Sequence, residues 1–492
     1  MKNAQASTGK TVSNSLSRLK RAIRIVLGVA GWALLLSTTL FTGYAAFWLL
    51  FTAGRLGEVQ MDQILPILLV TLVITAVLAV LVARFFASAR TVGLAILSVL
   101  ALLAIGGGIW TQAYPDDALF WARQLAWGDS SLTDYERFAE RPIENAAPAF
   151  QFRQNPSPEI LPVVEYRSMG ERRQMDFEAF LASTQTASFI VIKDDVIRYE
   201  GYFNGFRRDS VLTAFSISKS FTSTLVGIAI DEGFIGSVDD RIVDYLPELK
   251  GRNLESVTIR DLLMMSAGIR YIPDDEVSPL AEITQFTDCG LAYTHPNLRA
   301  LALQVQPDGN APGTEFNYNE YHPLLLGLIL ERATGRTASE YLQEKIWKPL
   351  GMEYPASWNL DSEKDGFELM GSGVNGRAID FAKFGRLFLN NGNWDGIQVV
   401  SEKWVAASTS PDTDNRTWHS YADWKAADGY YQYMWWGRFN PGGGYDFAAQ
   451  GHLGQWIYVS PQANVIIVRF GIHEGGVDSW FEVIQSLAAK IK

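Results

Sequence analysis

Three long apolar stretches dominate the first quarter of the chain, Ile25 to Phe51, Ile64 to Ala83 and Thr91 to Trp110, and none holds an internal Asp, Glu, Lys or Arg. Each reaches the ~20 residues that an α-helix needs to cross a bilayer. They predict three transmembrane helices. Beyond them the periods shorten. Ser188 to Lys193 and Val196 to Phe203 read as two strands joined at Asp194-Asp195, a hairpin. Phe221, Leu225 and Ile228 recur at helical spacing just after Ser216. Thr258 with Asp261 caps a helix from Ile259 to Ser266, with Gly268 as its stop; Leu324 to Ala333 is helical up to Gly335; and Thr337 with Glu340 caps a helix running to about Trp347. Gln455 to Val459 and Val465 to Phe470 form a second hairpin, and Val477 to Ile491 a C-terminal helix. Strands at both ends with helices between them imply an α+β fold, one antiparallel sheet built from the two termini of the region with a helical insertion across its edge.

Charge orients the apolar part. Lys2, Lys10, Arg18, Lys20, Arg21 and Arg24 precede the first stretch, Arg84 and Arg90 bracket the second loop, and the first loop sets Arg55 against Glu58 and Asp62. The positive-inside rule then puts the N-terminus in the cytoplasm and everything after Trp110 outside the cytoplasmic membrane, periplasmic or extracellular. The expected organisation is a basic cytoplasmic tail (1–24), a three-helix transmembrane region (25–112), a juxtamembrane connector (113–165) and the α+β domain (166–492). In the connector Phe120, Trp121 and Trp127 suit the membrane interface, and the Pro-rich piece from Pro142 to Pro162 resists regular structure. Residues 1–112 carry nine basic and two acidic side chains against −11 for the whole chain, which leaves −18 for the exported part. So acidic a surface argues against nucleic acid as a partner. Cys289, the single cysteine, excludes an internal disulfide.

Candidate chemistry begins at Ser216-Ile217-Ser218-Lys219. A spacing of three places a hydroxyl and an amine on one helix face, where a partly desolvated lysine can take the serine proton. Ser7 to Lys10 and Ser17 to Lys20 show the same spacing in the polar tail, but only Ser216 opens an amphipathic run. Tyr318-Asn319-Glu320 and His452-Leu453-Gly454 follow in order. His295, His322, His419, His452 and His473 lack metal-ligand spacing, and no Gly-x-Ser-x-Gly elbow of an α/β-hydrolase occurs. No metal or cofactor is implied. Gly442-Gly443-Gly444 reads as a flexible turn following no strand; Trp435-Trp436 is either core or the wall of an apolar pocket.

From about residue 166 to 492 the chain resembles the serine β-lactamase and penicillin-binding protein family, and within it class C β-lactamases, D-alanyl-D-alanine carboxypeptidases, family VIII carboxylesterases and 6-aminohexanoate-dimer hydrolases. The resemblance rests on Phe215 to Thr222, Thr258 to Leu263, Pro312 to Tyr318 and Gly451 to Gln455, all in the family's order. It implies a β-lactamase/transpeptidase-like antiparallel sheet with flanking helices and a helical subdomain. By that resemblance Ser216 is the nucleophile, Lys219 its general base and Tyr318 the proton shuttle to the leaving group. The oxyanion hole maps to the backbone N–H groups of Ser216 and of Gln455, the latter on an edge strand, and Glu320, His452 and Gly454 border the substrate. Two departures stand out. Glu320 replaces the family's Asn, and Leu453 replaces the hydroxyl residue of its third motif. Both favour a small-molecule amide or ester lacking the carboxylate of penicillins. The alternatives are a penicillin-recognising carboxypeptidase or β-lactamase, and a non-catalytic module binding a cell-envelope ligand.

Overall fold

Residues 465–471 read Val-Ile-Ile-Val-Arg-Phe-Gly, apolar at nearly every position, and a strand of that composition must be covered on both faces. The computed structural model of the protein shows that cover. It describes residues 2–56, 61–156, 163–271, 288–364, 366–411, 424 and 428–491, in two compact units, Met1–Gly128 and Asp129–Lys492.

The first unit holds helices Lys2–Leu56, Met61–Phe85, Ala89–Ala113 and Pro115–Trp127. Among the described residues two segments, Arg18–Ala46 and Arg90–Ala113, are long and apolar enough to cross a membrane; Leu69–Phe85 is apolar but shorter. Leu35, Val82 and Val92 pack together across the first three helices.

The second unit carries sixteen described strands: β1 (Ala139–Ile143), β2 (Arg153–Gln154), β3 (Val163–Ser168), β4 (Glu171–Asp176), β5 (Thr186–Lys193), β6 (Val196–Tyr202), β7 (Leu212–Thr213), β8 (Ala356–Leu360), β9 (Val374–Gly376), β10 (Asn393–Trp394), β11 (Ile397–Gln398), β12 (Gly429–Gln432), β13 (Trp435–Phe439), β14 (Tyr445–Gly451), β15 (Gln455–Ser460) and β16 (Val465–Gly471). The main sheet runs β12-β13-β14-β15-β16-β5-β6-β2, so the two ends of the domain meet where β16 pairs with β5. Both expected hairpins are present, and Asp194 and Asp195 turn the first with positive φ at each. One sheet face, through Phe189, Val191, Tyr458, Val465 and Ile467, packs on helices Phe177–Ser183 and Trp480–Lys490. The other receives helix Ala378–Leu389, whose Gly385 lies so near Ile457 and Ile466 that a Cβ there would sit 2.9–3.0 Å from their methyls. Behind that helix lies Ile217–Asp231, buried almost all round, with Phe221 stacked on Phe384 at 3.8 Å. Burying each of these large side chains contributes on the order of 2–3 kcal/mol.

Three expectations change. The catalytic unit begins at Asp129, ahead of the expected boundary at 166, because the supposed connector supplies β1 and β2: β1 pairs with β8 from Ala139↔Leu360 to Ile143↔Ala356, and β2 lies parallel to β6. Pro142 is tolerated in β1, which has a single strand neighbour and lies at the edge of the four-stranded sheet β1-β8-β9-β7. Gln455 opens β15, an interior strand rather than an edge strand. The three glycines do follow a strand, turning β13 into β14 with φ of +91° and +82° at Gly443 and Gly444.

Candidate active site

The backbone enters the site under strain. Phe215 adopts φ +47°, a left-handed conformation costly for a bulky residue, and delivers Ser216 to the N-cap of helix Ile217–Asp231. Its ring is held edge-on by His452 at 5.6 Å and packs by Tyr293 at 6.4 Å. Polar residues on the first turns of this helix bind neighbouring backbone. Ser218 Oγ accepts from Val374 N at 3.0 Å, Ser220 Oγ donates to Met434 O at 2.7 Å, and Thr222 Oγ1 donates to Met370 O at 2.8 Å. The segment 370–374 is thereby fixed against the helix as one wall of the site.

Lys219 is the hub. Only 1% exposed, its Nζ donates to Ser216 Oγ at 2.8 Å, Glu320 Oε1 at 2.6 Å and Gly371 O at 3.0 Å. It also lies 4.8 Å from the centre of the Tyr318 ring. Burial presses its pKa down, but the Glu320 charge and then the Tyr318 oxygen outweigh that, and the amine is held above the ordinary lysine value. The Tyr318 hydroxyl shares hydrogen bonds with Ser216 and Lys219; burial lifts its pKa, Lys219 opposes and Glu320 adds, so it is a phenol at neutral pH. Asn319 makes the turn that brings this trio in: its Nδ2 donates to Ile269 O at 3.1 Å while its Oδ1 accepts from Tyr321 N at 2.8 Å, at the start of helix Tyr321–Thr334. Gly371 is required opposite, since a Cβ there would meet Glu320 Oε2 at 2.1 Å.

Ser216, Lys219, Tyr318 and Glu320 thus converge. His452 is exposed beside Phe215, and Leu453 and Gly454 turn β14 into β15 with φ of +62° and +77°. Gly454 is buried over Arg469, where a Cβ would lie 2.3 Å from Nη1, so its visible role is packing. Arg469, fully buried, donates to the Gly454, Thr184 and His473 carbonyls and stacks 3.7 Å from the Trp480 ring; burial lowers its pKa to about 9. The Gln455 side chain is spent on β16, exchanging bonds of 2.9 and 2.8 Å with Gly471. The tryptophan pair divides: Trp435 is core against Phe388 and Phe447, whereas Trp436 stands 5.7 Å from Tyr318 with Tyr431 at 4.7 Å.

Sequence reasoning missed Asp134. Buried, it accepts from Tyr293 Oη at 2.6 Å and Arg137 at 3.1 Å, while the neighbouring Tyr135 N donates to Thr213 Oγ1 and Thr213 N to Leu132 O. Burial raises its pKa above the usual carboxylate value. No motif marks it; its place depends on contacts some 80 and 160 residues away.

An α+β sheet with a Ser-x-x-Lys helix facing a tyrosine defines a serine hydrolase of the β-lactamase type. Residues 175–476 match the family described as Beta-lactamase, and the chain belongs to it. It is 28% identical over 331 residues to 6-aminohexanoate-dimer hydrolase of Paenarthrobacter ureafaciens, covering 64% of this chain and 80% of that protein. A solved structure of a candidate 6-aminohexanoate-dimer hydrolase from Bacillus anthracis superposes with a TM-score of 0.63 at 23% identity, over 74% of this chain and 92% of that one. A candidate beta-lactamase from Bacteroides dorei gives 0.52 at 19% identity, over 64% and 96%.

Proposed function

We propose that the protein is a membrane-anchored serine hydrolase that cleaves an amide or ester through an acyl-enzyme on Ser216. The observation that carries this reading is the convergence of Lys219 and Tyr318 on the Ser216 hydroxyl, one group to take its proton and one to hand a proton to the leaving group. The backbone N–H groups of Ser216, at a helix N-terminus, and of Gln455 stabilise the oxyanion. His452 and Gly454 border the substrate. Glu320 disfavours an anionic group beside Lys219, and Leu453 offers no hydroxyl to a carboxylate, so the substrate is neutral at that end. Likeness to a 6-aminohexanoate-dimer hydrolase supports amide cleavage. The segments Arg18–Ala46 and Arg90–Ala113, with Leu69–Phe85 as a third span, support the anchor, and the basic N-terminal tail supports a catalytic unit outside the cytoplasm.

A fluorophosphonate probe should label the full chain at Ser216 and leave Ser216→Ala unlabelled. Penicillin should not compete with it. Labelling blocked by penicillin would move the substrate to the penicillin-recognising class, and an unlabelled parent would leave only a binding module. A reporter active solely in the cytoplasm, fused after Lys492, should stay silent.

A further inference from the structure

We propose that Glu320 is the proton store of this site: it takes a proton from the Lys219 ammonium as substrate enters and so frees the amine that activates Ser216. The proposal rests on Ser216 being the nucleophile, as proposed above. Its starting point is a count of donors. An ammonium has three N–H bonds and no lone pair. Around Lys219 Nζ stand Ser216 Oγ, Glu320 Oε1 and Gly371 O at bonding distance, with the Tyr318 oxygen sharing the cluster, so the three ammonium protons all have acceptors and no lone pair faces the serine. In this state Lys219 cannot be a base. Something must first remove a proton from it, and the group placed to do so is the carboxylate 2.6 Å away.

Water favours the ion pair, because Glu320 keeps 17% of its side chain exposed while Lys219 has only 1%. A substrate that covers the mouth strips that water, and desolvation favours the neutral pair of amine and carboxylic acid over two buried charges. Among the described residues no other titratable group beside the pair competes. Tyr318, on the loop before Glu320, is a phenol; the facing segment 369–373 is Leu-Met-Gly-Ser-Gly; and His322, on the following helix, is buried with Nδ1 at 3.1 Å from Met265 Sδ.

The steps balance. One Lys219 N–H bond breaks and an O–H bond forms on Glu320. The amine then takes the Ser216 proton as Oγ bonds to the carbonyl carbon and the C=O π pair moves to oxygen. When the pair returns, the bond to the leaving group breaks, and the leaving group receives the Tyr318 proton, which Lys219 replaces. The acyl-enzyme therefore holds a neutral amine and a protonated Glu320. Water attacks by the same route, releasing the acid, and the ion pair re-forms.

Ion pair and neutral pair contain the same number of protons, so their balance does not depend on pH. Stopped-flow acylation of the full-length protein by an activated neutral ester should be flat across the neutral pH range. In E320Q the amine must lose its proton to solvent, and the rate should climb about tenfold per pH unit below the new lysine pKa before levelling. An E320Q profile that stays flat from about pH 4 to 10 overturns the proposal. A second measurement needs no variant: parent protein carrying ¹³C-labelled glutamate, acylated by a slowly hydrolysed ester, should gain the infrared band of one protonated glutamate carboxyl, and its absence overturns the proposal as well. A parent that is never acylated refutes the serine-hydrolase reading itself, and the proton store falls with it; a parent that acylates while E320Q stays flat refutes the proton store alone.

Discussion

Gly371→Ala tests how tightly the charge pair is built. A Cβ at Gly371 would stand 2.1 Å from Glu320 Oε2 and 3.1 Å from Pro323 Cγ, when real Cβ contacts essentially never fall below 3.0 Å. The carboxylate must therefore swing away by about an ångström, taking Oε1 beyond bonding reach of Lys219 Nζ. Breaking a buried pair from one side costs ~3–5 kcal/mol; since Glu320 can recover some hydration as it leaves, about 3 kcal/mol is expected. Thermal unfolding of the detergent-solubilised chain would show this as a midpoint several degrees lower. A double-mutant cycle isolates the cause. With Glu320→Ala already in place there is no oxygen to displace, and Gly371→Ala should then cost less than about 1 kcal/mol, a coupling of roughly 2 kcal/mol. Equal losses in both backgrounds would show that Gly371 acts through the backbone and not through Glu320.

Lys219→Arg keeps the charge but cannot yield a proton, so acylation should fall by ~10²- to 10⁴-fold, nearly as far as in Lys219→Ala, when followed by stopped-flow. Tyr318→Phe keeps the ring over Lys219 and removes the acid: turnover of an unactivated amide should drop by ~10²-fold or more while acylation by a p-nitrophenyl ester, whose leaving group needs no proton, should change only a few-fold. His322 is fully buried and burial lowers its pKa to about 3, against ~6.5 when unfolded. Below pH ~6.5 the unfolded chain gains a proton that the folded chain refuses, so stability falls as pH falls, by roughly 2 kcal/mol at pH 5. Denaturant midpoints at pH 7 and pH 5 should converge in His322→Leu.

Local chemistry was what the sequence made legible. Thr258 with Asp261 and Thr337 with Glu340 form complete capping boxes, and Gly335 ends its helix at φ +68°. These features depend on neighbours three or four residues apart. Ser216 and Lys219 were equally plain, being one helical turn apart. What stayed hidden depends on distant partners. β1 reads Ala-Glu-Arg-Pro-Ile, with no apolar alternation, and becomes a strand only because β8 offers it an edge and Glu368 binds its Arg141. Gly371 resembles any loop glycine until Glu320 is set against it. Asp134 looks like a surface acid until Tyr293 covers it. The third motif could be read locally for its place beside the substrate, but not for the packing of Gly454 on Arg469, a residue whose burial among backbone carbonyls no local pattern announces.

The early start of the catalytic unit bears on how it can be separated from its N-terminal helices. A cut at residue 166, or at 175 where the family match begins, would discard β1 and bare five residues of the β8 edge, Ala356 to Leu360, to pairing with other chains. It would strand Glu368, buried with Ser339 still donating from N and Oγ at 3.0 and 2.8 Å, without its arginine. It would also remove Leu132 and Asp134 from beside Thr213, three residues ahead of the serine, and Tyr293, which packs by the Phe215 that precedes it. A protease site or a soluble fragment should therefore be placed ahead of Asp129, where the chain passes from one unit to the other.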